Sequence, residues 1–318
     1  MKHYFIINPV AGKGKAETYI RPQIEVYAKR VGLDYQIHVT KAKGEAIEFV
    51  KAEAAKGEAA RFYACGGDGT LFEVVNGAVG FENAEVAVIP LGSGNDFIRL
   101  FGTKEQFVSI PAQAEGTPVK LDVIKCGDVY AINQCSMGID AEINAKQMHF
   151  SKMPLLTGEM SYIAASAVCF FGKLGSEFSI SIDGGEFEKQ NLLFAVSGNS
   201  RWYGGGFMPA PHAFPDDGLL DFVVVKNELS KIQLASFFAG YKQGKHLNLD
   251  VTSYRRGKKM TVKSETPAAV NIDGEVEIAT ERTFEIIEKA ISFVVPRGAF
   301  YFDTIAADKE KYLNYAGK

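Results

Sequence analysis

Three glycine-rich turns carry the groups best suited to chemistry. Gly66-Gly67-Asp68-Gly69-Thr70 follows a β-forming run, Phe62-Tyr63-Ala64-Cys65, and opens an apolar-periodic helix at Leu71. Glycines there leave backbone N–H groups bare and let a phosphate chain come close, and a helix N-terminus adds partial positive charge. An acid inside such a turn, Asp68, would repel phosphate unless a divalent cation lay between them. The simpler reading is a glycine turn capped by Asp or Thr, which is common between strand and helix. Two companions argue against it. Asn8-Pro9-Val10-Ala11-Gly12-Lys13-Gly14 and Gly92-Ser93-Gly94-Asn95-Asp96 each follow a strand-like run as well. Loops at the carboxyl ends of parallel strands converge on one crevice, so the three line a single nucleotide site. Lys13 and Lys15 either offer charge to its phosphates or are ordinary solvated lysines. Neither G-x-x-x-x-G-K-[ST] nor, in the first βα turn, G-x-G-x-x-G occurs, which excludes a Walker A loop and a dinucleotide fingerprint.

The remaining acids read less sharply. Glu275 follows Asp273-Gly274, a turn dipeptide that exposes it at a hairpin tip, where a solvated acid is the plain alternative. Asp216-Asp217-Gly218 is another turn. Neighbouring side chains of an extended segment point to opposite sides, so only one of the pair, Asp217, is taken to face an ion. Asp122 and Asp221 alternate with apolar neighbours and fit ordinary strand positions. His212 has no partner at ligand spacing and no H-E-x-x-H occurs, so zinc is not indicated.

The elements that must position these groups follow from periodicity. Residues 2–7, 34–40, 61–65 and 85–90 read as short buried strands. Between them Ile20, Ile24, Ala28 and Val31 share one helical face, as do Ala46, Ile47, Val50 and Ala54, then Leu71, Val74, Val75 and Ala78. Pro22 is expected in an early turn. This alternation predicts parallel βαβ units with helices on both faces. From about residue 119 strands meet across tight turns: 119–125 and 129–134 about Cys126-Gly127-Asp128, 178–182 and Phe187 about Asp183-Gly184-Gly185, and 270–272 ending at Asp273-Gly274. Further strands are expected at 222–225, 260–262, 284–287 and 291–295, and helices near 155–172 and 229–244. The fold class is therefore α/β plus all-β. A doubly wound, Rossmann-like nucleotide-binding domain over 1–122 precedes an antiparallel β-sandwich-like domain over 123–296; whether 297–318 returns to the first stays open.

Composition excludes several classes. With 47% hydrophobic and 23% charged residues the chain is globular rather than disordered, and a net charge of −3 gives no global pull toward nucleic acid. Four scattered cysteines, without a C-x-x-C pair, and no signal-like N-terminus indicate a reduced cytoplasmic protein. The longest apolar stretch, Tyr162–Phe171, is too short to span a bilayer.

At these residues the sequence resembles the lipid kinase family of bacterial diacylglycerol kinases, YegS-type lipid kinases and sphingosine kinases. The first two blocks are Asn8-Pro9-x-Ala11-Gly12 and Gly66-Gly67-Asp68-Gly69-Thr70-Leu71 with Glu73-Val74-Val75-Asn76-Gly77. Ile89-Pro90-Leu91-Gly92-Ser93-Gly94-Asn95-Asp96-Phe97 with Arg99 forms the third. Gly204-Gly205-Gly206-Phe207-Met208-Pro209 with Asp216-Asp217-Gly218-Leu219-Leu220-Asp221 forms the fourth, and Ile272-Asp273-Gly274-Glu275 the fifth.

The resemblance implies an NAD kinase/phosphofructokinase-like first domain and an ATP- and Mg²⁺-dependent kinase acting on a lipid alcohol, most readily diacylglycerol, at the inner membrane surface. It implies ATP contacts from Asn8, Pro9, Val10, Ala11, Gly12, Thr40, Gly66, Gly67, Asp68, Gly69, Thr70, Leu71, Phe72 and Ser93. It places Asp68 in a catalytic Mg²⁺ network with Asn95, Asp96, Arg99 and Asp122 around it. A second, structural Mg²⁺ would be held by Asp217 and the carbonyls of Phe214 and Leu219, and Glu275 would be the general base. Ser93 stands where the family usually has Thr, and Phe72 where it usually has Asn, which removes a polar group beside the phosphates. Tyr162–Phe171 and Phe237-Phe238 near Tyr241 are candidates to face lipid. Homodimerisation stays open. Two rival readings are an NAD kinase-like small-molecule kinase, which shares the G-G-D-G loop, and a non-catalytic lipid- or nucleotide-sensing module. The triple-glycine and Asp216–Asp221 blocks argue against the first, and the intact Asp68, Asp217 and Glu275 against the second.

Overall fold

The computed structural model describes residues 1–92, 94–150, 165, 168, 169 and 174–312. Its first part is built on β1 (Lys2–Ile7), β2 (Tyr35–Val39), β3 (Ala60–Gly66) and β4 (Ala84–Pro90), parallel in the order β2-β1-β3-β4. Alternate side chains go to opposite faces of a strand. Tyr4, Ile6, Phe62, Ala64, Val86 and Val88 pack under α2 (Glu45–Ala54) and α3 (Asp68–Ala78). Phe5, Ile7, Tyr63, Cys65, Ala87 and Ile89 pack under α1 (Ala16–Val31). Both faces are apolar and covered, as a doubly wound sheet requires.

Two local expectations are corrected here. Pro22 lies inside α1 rather than in a turn. Its missing N–H would have served Thr18, which is exposed, so water can take that carbonyl. Val31, expected on the buried face, is 49% exposed at the last turn of the helix.

All thirteen strands found among the described residues belong to one hydrogen-bonded sheet. β5 (Thr117–Cys126), β6 (Val129–Ala131), β7 (Gln134–Gly138), β8 (Ser176–Ile182), β9 (Glu188–Gly198), β10 (Leu220–Lys226), β11 (Thr252–Gly257), β12 (Lys259–Ile272) and β13 (Glu275–Val295) pair antiparallel among themselves. They curl around a core that includes Ile124, Met137, Phe178, Phe222, Met260 and Phe284. The outer face of β9 and β10 is covered by two further helices, α4 (Ile139–Phe150) and α5 (Lys231–Lys242).

The two strands expected at 284–287 and 291–295 are one, β13, whose register shifts between Ile287 and Ile291 where Lys289 takes φ +54°. The far end of β13 pairs parallel with β4, Ser292 opposite Glu85, so this strand carries the sheet from one part of the chain into the other. A last helix, α6 (Tyr301–Tyr312), sets Tyr301 and Ile305 into the core that also holds Phe62 and Val86. Tyr301 stacks on Phe101 with ring centroids 4.7 Å apart. The helix expected near 155–172 lies outside the described residues apart from Ala165, Val168 and Cys169. No helix among the described residues is long and apolar enough to cross a membrane.

Candidate active site

The glycine turns after β3 and β4 meet because glycine alone permits the approach. A Cβ on Gly92 would lie 2.4 Å from the Cα of Gly67, and one on Gly94 would lie 2.6 Å from Asp68 Oδ2. No side chain caps the N-terminus of α3, so its first N–H groups remain directed at the turn, an arrangement suited to an anion. The turn after β1 is tied to α3 directly: Asn8 Nδ2 donates to Thr70 Oγ1 at 3.2 Å, and Asn8 Oδ1 accepts from Val10 N at 3.2 Å. Pro9, Val10, Ala11 and Gly12 complete that turn, with Gly12 and Lys13 both at positive φ. Thr40, at the end of β2, bonds back to the Ile7 carbonyl through its N–H at 3.0 Å. Gly66 ends β3, Gly67 precedes α3 and Gly69 lies in the first turn of α3. Ser93 lies outside the described residues.

Leu71 and Phe72 depart from expectation. Both side chains are buried, Leu71 in the core under α3 and Phe72 in the core of the β-rich part. A phenyl ring where the family usually has an amide thus packs between the two parts of the chain instead of bordering phosphates. Any contact from these two residues to a nucleotide must come from backbone.

Asp68 and Asp96 form the acidic centre. The N–H of Asp96 donates to Asp68 Oδ1 at 3.0 Å. Burial, with the neighbouring charge of Asp96 second, pushes the Asp68 carboxyl up to about 6. A divalent cation would remove that penalty, so the residues fit Mg²⁺ bound at Asp68. Asp96 is 2% exposed. It accepts from Gly205 N at 2.6 Å through Oδ2 and pairs with Arg99 Nε at 2.9 Å through Oδ1. Arg99 in turn lies against Gly206, so the triple-glycine turn is bound to the loop after β4. Asn95 takes φ +54° and closes that loop by donating to the Gly92 carbonyl at 2.7 Å.

Asp122 is a correction. It does not join the Asp68 group: its carboxylate accepts from Gly218 N at 2.9 Å and Lys289 N at 2.7 Å, fixing the turn before β10 to the irregular point of β13.

Glu275 opens β13 at the tip of the β12–β13 hairpin and forms an ion pair with Lys43, in the loop after Thr40. That loop is pinned to α3 by Glu73, whose carboxylate accepts from Gly44 N at 2.9 Å and Ala46 N at 3.2 Å. The candidate base therefore stands against the loop between β2 and α2.

The structural Mg²⁺ does not fit the residues as drawn. Asp217 is buried, accepts from Leu219 N at 3.1 Å and is paired with Arg256. The carboxylate expected to bind the ion already has a cation on it. Phe214 is buried beneath the Arg201 guanidinium, 4.5 Å from the ring centroid. No group of three or more His, Cys, Asp or Glu residues placed to hold a metal occurs among the described residues, here or at Asp68, where phosphate and water oxygens would supply the remaining ligands. The lipid-facing expectation also fails for Phe237 and Tyr241, which are 3% and 1% exposed and pack against Phe194. Tyr162–Phe171 falls outside the described residues except at Ala165, Val168 and Cys169.

Sequence reasoning missed Asp273 as more than a turn residue. Its buried carboxylate accepts from the N–H groups of Ile132 (2.6 Å), Asn133 (3.1 Å) and Gln134 (2.7 Å), and burial pushes it up to about 7. Asn133 continues outward, donating from Nδ2 to the Trp202 carbonyl at 2.5 Å. One polar network therefore runs from the hairpin that presents Glu275 to the segment entering the triple-glycine turn.

Comparison with known proteins agrees with this architecture. Residues 2–126 match the diacylglycerol kinase catalytic domain, and residues 133–295 match the YegS C-terminal NAD kinase beta sandwich-like domain. A diacylglycerol kinase of Bacillus subtilis (strain 168) is 27% identical over 298 residues, covering 92% of this chain and 95% of its own. One from Staphylococcus carnosus (strain TM300) is 25% identical over 305 residues, covering 95% and 98%. A crystal structure of a diacylglycerol kinase from Bacillus anthracis str. Sterne superposes with a TM-score of 0.71 at 26% identity, covering 93% of this chain and 97% of that one. An NAD kinase from Archaeoglobus fulgidus in complex with ATP shares the fold at 14% identity and a TM-score of 0.51, covering 98% and 99%.

Proposed function

The chain belongs to the lipid kinase family defined by the diacylglycerol kinase catalytic domain and the YegS C-terminal domain, and we propose that it transfers the γ-phosphoryl group of ATP to a membrane-lipid hydroxyl, diacylglycerol giving phosphatidic acid. One observation carries this reading. The Gly205–Asp96–Asp68 hydrogen bonds bring glycine turns from both parts of the chain to one acidic centre.

Phosphoryl transfer asks for positioning and charge compensation more than covalent help. Backbone N–H groups at the start of α3 and in the turns after β1 and β4 orient the triphosphate. Asp68, with Asp96 beside it, would hold Mg²⁺, which would offset the charge on the phosphates. Arg99 sits at the edge of the centre, its guanidinium on Asp96 and 46% of its side chain exposed. Glu275 takes the proton from the acceptor hydroxyl, a contribution of about 10²–10⁴-fold for a well-placed carboxylate. Lys43 holds that carboxylate against the loop carrying Thr40. The acceptor resides in a bilayer, so the protein works as a peripheral enzyme at the cytoplasmic surface.

The test supplies purified protein with γ-labelled ATP, Mg²⁺ and micelles containing diacylglycerol, monoacylglycerol or a sphingoid base, with NAD in a parallel reaction. Label in extracted diacylglycerol is expected. Label in NAD with none in any lipid would replace this reading with the small-molecule kinase. ATP binding with no labelled product in any arm would favour a sensing module.

A further inference from the structure

The turn at residues 214–219 gathers acids at unusual density. Asp216 and Asp217 lie in it, Asp122 bonds its Gly218 N–H, and Asp221 follows in β10. Asp221 is fully buried and Asp217 nearly so. Buried carboxylates crowded like this repel one another and are kept only where cations or hydrogen bonds neutralise them. The family solution, by the resemblance above, is a bound divalent ion.

Here each acid already has a donor from the protein. Tyr301 O–H donates to Asp216 at 2.6 Å, and Lys309 pairs with the same carboxylate. Asp122 is taken up by two backbone N–H groups. Arg256 serves the other two: it pairs with Asp217 through Nη2 and lies 3.4 Å from Asp221 Oδ2 through Nε. Its side chain is 7% exposed. The placement is built into the sheet, because Asp221 and Arg256 are directly opposite across the antiparallel β10–β11 pair, so their side chains leave the same face. Tyr254, two residues earlier in β11 and thus on that face as well, donates its hydroxyl to Asp221 Oδ1.

We infer that Arg256 is the resident cation of this turn, its guanidinium holding the place that the resemblance assigns to a structural Mg²⁺. A fixed guanidinium brings two directed donors to two carboxylates and cannot be lost to a chelator. The turn before β10 is then independent of divalent ions, and the protein's requirement for Mg²⁺ is confined to Asp68.

The test is thermal unfolding of the full chain without nucleotide, in EDTA and in millimolar MgCl₂, for wild type and Arg256→Met, each in an Asp68→Asn background so that Mg²⁺ at Asp68 does not move the midpoint. The wild-type midpoint is expected to be the same in both buffers. Arg256→Met in EDTA is expected to melt about 5–10 °C lower, as breaking a buried ion pair does. It should recover part of that loss in MgCl₂, because two vacated carboxylates can then take a divalent ion. A wild-type midpoint that drops in EDTA would overturn the inference, as would an Arg256→Met midpoint in EDTA equal to wild type. Should Arg256→Met not accumulate folded, Arg256→Lys carries the same comparison. It keeps a cation without the fork, so a lowered midpoint unaffected by EDTA supports the inference and a chelator-sensitive one overturns it.

Discussion

The backbone N–H of Gly205 donates to Asp96 Oδ2 at 2.6 Å, fastening the triple-glycine turn to the loop that also bonds Asp68. Gly205 holds φ +81° with open space around the position a Cβ would take. Gly205→Ala therefore costs conformational strain alone, about 1–2 kcal/mol. Asp96→Asn removes the charge that pairs with Arg99. Transfer activity is expected to fall at least about tenfold for Asp96→Asn, with a smaller loss for Gly205→Ala. Steady-state kinetics on both variants check this, and full activity in Asp96→Asn would detach the residue from the site.

Glu275→Gln keeps shape and hydrogen-bonding capacity but cannot accept a proton at neutral pH. Mg²⁺-dependent ATP affinity is expected to stay near normal while single-turnover transfer falls by about two orders of magnitude. Normal transfer in this variant would move the base assignment to Asp96 or Asp68.

Asp273→Asn tests the network beneath the hairpin. One amide oxygen cannot serve three N–H donors, and the amide NH₂ would face a donor. The expected loss is about 2–4 kcal/mol in urea unfolding, with the slope unchanged. A stability equal to wild type would mean that the Ile132–Gln134 segment is held by other contacts.

How much of this was legible beforehand depends on range. The three glycine turns could be read because each follows its own strand and opens its own local element. Leu71 and Phe72 could not be placed correctly, because the helical face that each presents is decided by which core lies nearby. Asp273 read as a turn acid since its donors lie some 140 residues away along the chain. Arg256 gave no local signal at all: only the pairing of β10 with β11, across the intervening α5, sets it opposite Asp221. The single long β13 was split in two because the positive-φ Lys289 interrupts its alternation.

His246 gives a pH signature. It is fully buried, with Nε2 against the Pro209 carbonyl at 3.0 Å, and burial lowers it from 6.5 to about 4. Between those values the unfolded chain binds a proton that the folded chain does not, so this contribution to stability is complete above pH 6.5 and is lost as pH falls toward 4. His246→Gln lacks the titration. The stability difference between wild type and variant should therefore shift by about 2 kcal/mol against wild type from pH 7.5 to pH 5. A pH-independent difference in urea unfolding would contradict a neutral buried imidazole.

The most direct test of the whole account is a single-turnover reaction with γ-labelled ATP, Mg²⁺ and diacylglycerol in micelles, run with wild type and Asp68→Asn. The account predicts labelled phosphatidic acid from wild type and a loss of about 100-fold or more in the variant, which removes the carboxylate that would hold Mg²⁺ and disturbs ATP affinity as well. Labelled lipid formed equally by both proteins, or by neither, would contradict it.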